Sequence, residues 1–320
     1  MSNEKVLFNH DAAIDEFMAA LLLTTMDNVD YKGSVIMNAD CIYNFAMQAQ
    51  WKIQSALNID QNANPILLSQ ARQWNSFPWI YREDCIKENK IDCLQPIPNN
   101  PSWPAYPNGD VYITNVLENA LQNDEQITML VNCPMTTLKN VLEANPRLIA
   151  AVDRLIWMGG AINVKGNLDP ATIPIEVANP KAEWNAFCDP FAIQWIFDNT
   201  DFPIILFPLD VTNQAAITTE FMNSLAAQAE TSAYSKLAYQ SYDLVASESF
   251  YDMWDVLTTC YIPHPEFFET PTVMNLEIVT EDYWQGTLEQ TTEGGREVSV
   301  VLNLINPDGF YNYVLEQFNR

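Results

Sequence analysis

The sequence predicts an α/β protein: a single domain over residues 1–320, with a mostly parallel central sheet covered by helices on both faces. Three observations carry this. Short β-rich apolar runs alternate with amphipathic stretches along most of the 320 residues. Hydrophobic residues make up 48% of the chain, enough for a large buried core. No obvious linker, internal repeat or low-complexity tract divides it.

Residues 6–8 read as the first strand and 15–25 as the helix after it. A strand at 34–37, a helix at 42–57 and a third short strand at 65–68 follow. Residues 96–109, rich in Pro, Trp and Asn, read as a loop. Helix 111–122, strand 127–131, helix 136–143 and strand 154–158 continue the alternation, the last stopped by Gly159 and Gly160. Helix 190–198 leads to strand 203–207. The acidic stretch 280–295 reads as an exposed hairpin or loop, 298–304 as a returning strand, and 308–318 as a closing helix capped by Asp308.

Composition excludes several function classes. Acidic residues number 41 and basic ones 15, a formal net charge of −26. Such a surface repels phosphate backbones and anionic headgroups, so nucleic acid and membranes are not expected partners. The longest apolar runs, 17–23 and 203–209, fall short of the roughly 20 residues needed to cross a bilayer. The polar start lacks the form of a signal peptide, which points to the cytoplasm. Six irregularly spaced cysteines without a CxxC pair read as mostly buried thiols in a reducing compartment. With only His10 and His264, a multi-histidine metal site is excluded.

In open α/β sheets, ligands bind beyond the carboxyl ends of the strands. Those ends carry Asn9, His10 and Asp11; Asn38 to Asp40; Asn132 to Pro134; Gly159 and Gly160; and Asp210 to Asn213. Asp15 and Glu16 suit a helix N-terminus for dipole reasons alone. Asp11, four residues earlier at a strand end, has no such explanation. Three carboxylates within six residues repel one another unless a cation sits among them, and carboxylates suit a hard ion such as Ca²⁺ or Mg²⁺.

Segment 9–16, NHDAAIDE, resembles the DxDxxxDD motif of the nucleoside hydrolases, the inosine–uridine hydrolase family. Three further segments match in order: MGGAINVKGN at 158–167, AEWN at 182–185 and WD at 254–255. Trp254 before Asp255, His10, and the aromatic segment FPWIY at 77–81 are most similar to the purine-preferring branch. The histidine acid of the nonspecific branch has no counterpart, and His264 reads as a surface or loop residue.

The resemblance implies a Rossmann-like fold, a homodimer, and Ca²⁺-dependent hydrolysis of the N-glycosidic bond of purine ribonucleosides. It implies that Asp11 is both base and metal ligand, with Glu16, Asp255 and the Asn132 backbone carbonyl completing the protein ligands. Asp15 maps to the 2′-hydroxyl acceptor, Asn185 to a 3′-hydroxyl contact, and Asn167 and Glu183 to the 5′-hydroxyl. Trp254 and Tyr81 map to the two faces of the base, with Phe77 and Trp184 as nearby aromatics that core packing would explain equally well. Asp40 maps to a base-proximal carboxylate or, alternatively, caps the following helix. Asn167 could be a turn residue and Asp255 a helix cap; Glu183 has no evident structural reason in the sequence.

Two positions depart from the family motif. Asn9 replaces its first Asp, and Glu16 replaces a ligand Asp. Both leave open a slow or inactive nucleoside- or ribose-binding protein on the same scaffold. A DxD-type phosphohydrolase would need Asp at position 9 as nucleophile, and Asn9 disqualifies it.

Overall fold

The computed structural model describes residues 3–100, 107–248 and 250–320. Part of the expected loop at 96–109, residues 101–106, lies outside this range. Among the described residues, nine strands form one sheet: β1 (Glu4–His10), β2 (Val29–Ile36), β3 (Ile66–Leu68), β4 (Ile127–Asn132), β5 (Val152–Met158), β6 (Ile204–Phe207), β7 (Thr272–Ile278), β8 (Leu288–Gln290) and β9 (Arg296–Val300). Their order is β3-β2-β1-β4-β5-β6-β9-β7-β8. All neighbours pair in parallel except β7, which runs antiparallel to β8 and β9.

The helices are α1 (Ile14–Leu23), α2 (Tyr43–Ala56), α3 (Trp79–Arg82), α4 (Asp84–Glu88), α5 (Gly109–Gln122), α6 (Thr136–Ala144), α7 (Trp184–Cys188), α8 (Pro190–Asn199), α9 (Leu209–Thr212), α10 (Thr219–Gln228), α11 (Ala233–Asp243), α12 (Trp254–Cys260) and α13 (Pro307–Phe318). The two-residue period of β1 divides them. Val6 and Phe8 face the core layer built by α1, α2 and α10 to α13. Leu7 faces the opposite layer, which contains α5, α6 and α8. A sheet buried on both faces explains why its parallel strands read as continuous apolar runs.

Strand order reverses beside β1, which has β2 on one side and β4 on the other. The crevice at that switch point, beyond the carboxyl ends, is the expected ligand position. The chain enters it through Ala12, whose φ of 66° is uncommon for a residue with a Cβ.

The structure adjusts several expected elements. The closing helix is capped by Asn306, whose side chain accepts from the Gly309 amide; Asp308 lies inside the first turn. The strand expected at 298–304 leaves the ladder after Val300. The acidic stretch 280–295 contains β8 and the turns joining it to β7 and β9. Strand β7 and helices α3, α4, α7, α9, α10 and α11 have no counterpart among the expected elements, and in α12 Met253 holds the cap position while Asp255 lies in the first turn.

Candidate active site

A cavity of about 640 Å³ opens at the crevice. Asp11 reaches it from the loop after β1, and Glu16 from the first turn of α1. Asp40 comes from the loop after β2, and Asp255 from the first turn of α12. Residues far apart in sequence thus meet because parallel strands release their loops on one side of the sheet.

These carboxylates are buried: Asp11 is 2% exposed, Glu16 4% and Asp255 5%. Asp11 Oδ2 accepts from the Asp40 amide at 2.9 Å. Burial raises the Asp11 carboxyl to about 6. Burial, then the charges of Asp255 and Asp11, push Glu16 well above its ordinary range. Asp255 is pushed up the same way, by burial and then by Asp15 and Asp11. Burial followed by Asp11 does the same to Asp40. Asp40 does not cap the following helix: residue 42 holds that position, with no side-chain cap.

The donor chemistry fits a hard cation. Glu16 Oε2, Asp255 Oδ1, Asp40 Oδ1 and Asn132 Oδ1 are buried without a hydrogen-bond partner, a costly state for anionic or polar oxygen unless it is compensated. Among the described residues, however, no group of three or more His, Cys, Asp or Glu side chains forms a ready ligand sphere. A hard cation would relieve the mutual repulsion that raises these carboxyls, and its coordination tolerates variable ligand spacing. Asn132 itself is fully buried on β4, opposite His10, and its side-chain amide donates to the Asp255 carbonyl at 3.5 Å.

Asp15 is placed differently. It is fully buried and not among the cavity-lining residues. Its carboxylate accepts from Tyr242 Oη at 2.6 Å and from the Asp255 and Val256 amides at 2.6 and 3.0 Å.

Asn167, Glu183, Trp184 and Asn185 line the cavity together. Glu183 also has the structural reason that the sequence did not disclose. It caps α7, accepting from the Asn185 and Ala186 amides, and holds the Gly160 amide at 2.8 Å. Burial raises its carboxyl to about 7. Asn167 Oδ1 accepts from the Trp184 amide at 3.1 Å, and Asn185 Nδ2 donates to the Met158 carbonyl at 3.2 Å.

The aromatic wall has two parts. Phe77, Tyr81 and Trp184 form one, with Phe77 and Trp184 centroids 4.9 Å apart and the Tyr81 hydroxyl on Asp169 at 3.2 Å. Trp254 forms the other, its ring 4.8 Å from Tyr251 and its Nε1 donating to Asn213 at 3.3 Å. Neither histidine lines the cavity. His10 is buried in β1 and stacked on Phe8, and burial lowers it to about 3. His264 is part-exposed and pairs with Glu266 at 2.8 Å.

Sequence reasoning missed Asp84, Asp169, Phe250, Tyr251 and Asp252, which also line the cavity. None stands directly after a sheet strand, so the strand-end rule could not reach them. At the motif's first position, Asn9 is fully buried and donates to the Val35 carbonyl at 2.8 Å. No helix among the described residues is long and apolar enough to cross a membrane.

Comparison with known proteins places this geometry. The profile of the family described as inosine-uridine preferring nucleoside hydrolase matches residues 6–312. A non-specific ribonucleoside hydrolase, RihC of Salmonella schwarzengrund, is 28% identical over 65% of this chain and 64% of its own length. The chain therefore matches just under two thirds of the length of such curated relatives. The inosine-uridine preferring nucleoside hydrolase of Bacillus anthracis superposes with a TM-score of 0.85 at 28% identity, over 99% of both chains. A purine-preferring ribonucleoside hydrolase from Gardnerella vaginalis shares the fold, with a TM-score of 0.76 at 16% identity over 99% of this chain and 98% of its own.

Proposed function

This chain belongs to the inosine-uridine preferring nucleoside hydrolase family, and from that premise we propose that it is a Ca²⁺-dependent N-ribohydrolase that prefers purine ribonucleosides. The observation that carries the proposal is the convergence of Asp11, Glu16 and Asp255 on a cavity walled by Trp254 and Tyr81.

The reaction breaks an N-ribosidic bond through an oxocarbenium-like transition state. Asp11, Glu16, Asp255 and the Asn132 carbonyl would hold the cation, which when bound supplies a more acidic water and a grip on ribose hydroxyls. Asp11 would accept the water's proton, because it reaches the cavity among the carboxylates that would hold the cation. Asn167, Glu183 and Asn185 would hold the ribose. Trp254 and Tyr81 would stack the purine and favour its protonated form through the ring quadrupole, with Phe77 and Trp184 closing the same wall. Asp40 would face the base.

Purine preference rests on Trp254 standing beside Asp255 in a cavity that neither histidine lines. Relatives named for non-specific, inosine–uridine and purine activity all resemble this chain, so the substrate must be read from the residues on the wall. Rates on inosine and uridine test this reading: faster inosine cleavage supports it, and a marked preference for uridine overturns the branch but not the family. We further propose a homodimer acting in the cytoplasm. A folded chain that takes up the ion yet cleaves no nucleoside would instead support the binding-protein alternative raised by Asn9 and Glu16.

A further inference from the structure

We infer that Asp15 is a positioning residue, a remote cap that fixes the start of α12 and so sets Asp255 opposite Glu16, with Tyr242 holding it in place. The inference rests on the cation site proposed above.

A helix start leaves backbone N–H groups without intrahelical partners. The cap position of α12, Met253, supplies no side-chain bond. Asp15 supplies it from 240 residues away: its Oδ2 accepts from the Asp255 amide at 2.6 Å and the Val256 amide at 3.0 Å. A carboxylate there is also favoured by the helix dipole. Its other oxygen accepts from Tyr242 Oη at 2.6 Å, and its own amide donates to Tyr251 Oη at 3.2 Å. Both oxygens are thus engaged by protein donors, and the residue is fully buried.

The arrangement links two candidate ligands through one side chain. Glu16 follows Asp15 directly in α1, and the amide of Asp255 sits on the Asp15 carboxylate. This bracket therefore ties Glu16 to Asp255 at the point where α1 and α12 also pack against each other. Tyr242 is the clean probe, because it is fully buried on α11, lines no part of the cavity and hydrogen-bonds to Asp15 rather than to either candidate ligand side chain.

The test is a Ca²⁺ titration of the full chain by calorimetry, without nucleoside, for the parent, Tyr242→Phe and Asp15→Ala. Omitting nucleoside separates positioning from a 2′-hydroxyl contact, whose loss would not move ion affinity. Tyr242→Phe is expected to weaken Ca²⁺ binding by about tenfold, within the usual effect of losing a group that orients metal ligands, and Asp15→Ala by more. In Tyr242→Phe, excess Ca²⁺ should restore most of kcat on inosine. Ion affinity within about twofold of the parent in folded Tyr242→Phe overturns the inference, and that variant decides if Asp15→Ala does not fold. Parent turnover of inosine is measured in parallel: its absence contradicts the proposed function, while the bracket is still judged from the titrations.

Discussion

The backbone amide of Asp40 donates to Asp11 Oδ2 at 2.9 Å, so the loop after β2 holds the carboxylate presented by the loop after β1. This bond fixes Asp11 Oδ2 beside the loop that carries Asp40. It also makes substitution at Asp11 informative, since an amide oxygen can keep the bond to Asp40.

Asp11→Asn should retain the fold and lose turnover of inosine by at least about 10²-fold, because the proton acceptor and a ligand charge are removed together. Circular dichroism checks the fold and steady-state kinetics the loss. Turnover within about threefold of the parent would refute the assignment.

Trp254→Ala should slow inosine more than p-nitrophenyl riboside. The nitrophenolate leaves without protonation, so that substrate loses only the binding part of the stacking. Comparing kcat/KM for both substrates in both proteins makes the measurement. Equal losses would show that Trp254 merely packs against Met158, Ala161 and Leu209, the cluster it joins.

Tyr81→Trp should speed inosine cleavage if the weaker phenol ring limits base activation. The change also removes the hydroxyl bond to Asp169, so a matching Tyr81→Phe variant isolates that loss. If Tyr81→Trp shows no gain in kcat/KM over Tyr81→Phe, this ring takes no part in leaving-group activation.

Glu88→Gln should flatten the dependence of stability on pH. Burial holds the Glu88 carboxyl at about 8, above its ordinary 4.5, while its Oε1 accepts from Ser241 Oγ at 2.8 Å. The folded chain therefore retains a proton that the unfolded chain releases once pH passes its ordinary value. The unfolded state binds fewer protons across that window, so the residue makes stability fall as pH rises from about 5 to about 8. The glutamine carbonyl can keep the Ser241 bond without the linkage. Melting temperatures of both proteins at pH 5.5 and 8 should show a smaller drop for the variant; equal drops would contradict the argument.

The sheet was legible because β1, β2, β4, β5 and β6 are short apolar runs punctuated by turn residues, and because ligands gather at carboxyl ends. Asp11, Asp40 and Asn132 could be placed by that rule alone. Other features depend on distant contacts. Helix α12 takes its cap from Asp15, 240 residues earlier, so its local sequence misplaces the cap: Asp255, the candidate it offers, lies inside the first turn. Glu183 caps α7 and holds Gly160 while also lining the cavity, two demands on one side chain that a linear motif does not separate. Asp84, Asp169 and Asp252 reach the cavity from short helical or irregular segments whose position is set by tertiary packing, and no period in the sequence marks them.

The most direct test of the central claim is chromatographic assay of inosine incubated with the purified chain, first stripped of metal by chelation and then supplied with Ca²⁺. The account predicts release of hypoxanthine and ribose that stops on stripping and returns with Ca²⁺. No release by the folded, Ca²⁺-replete chain, or release that persists undiminished after stripping, would contradict it.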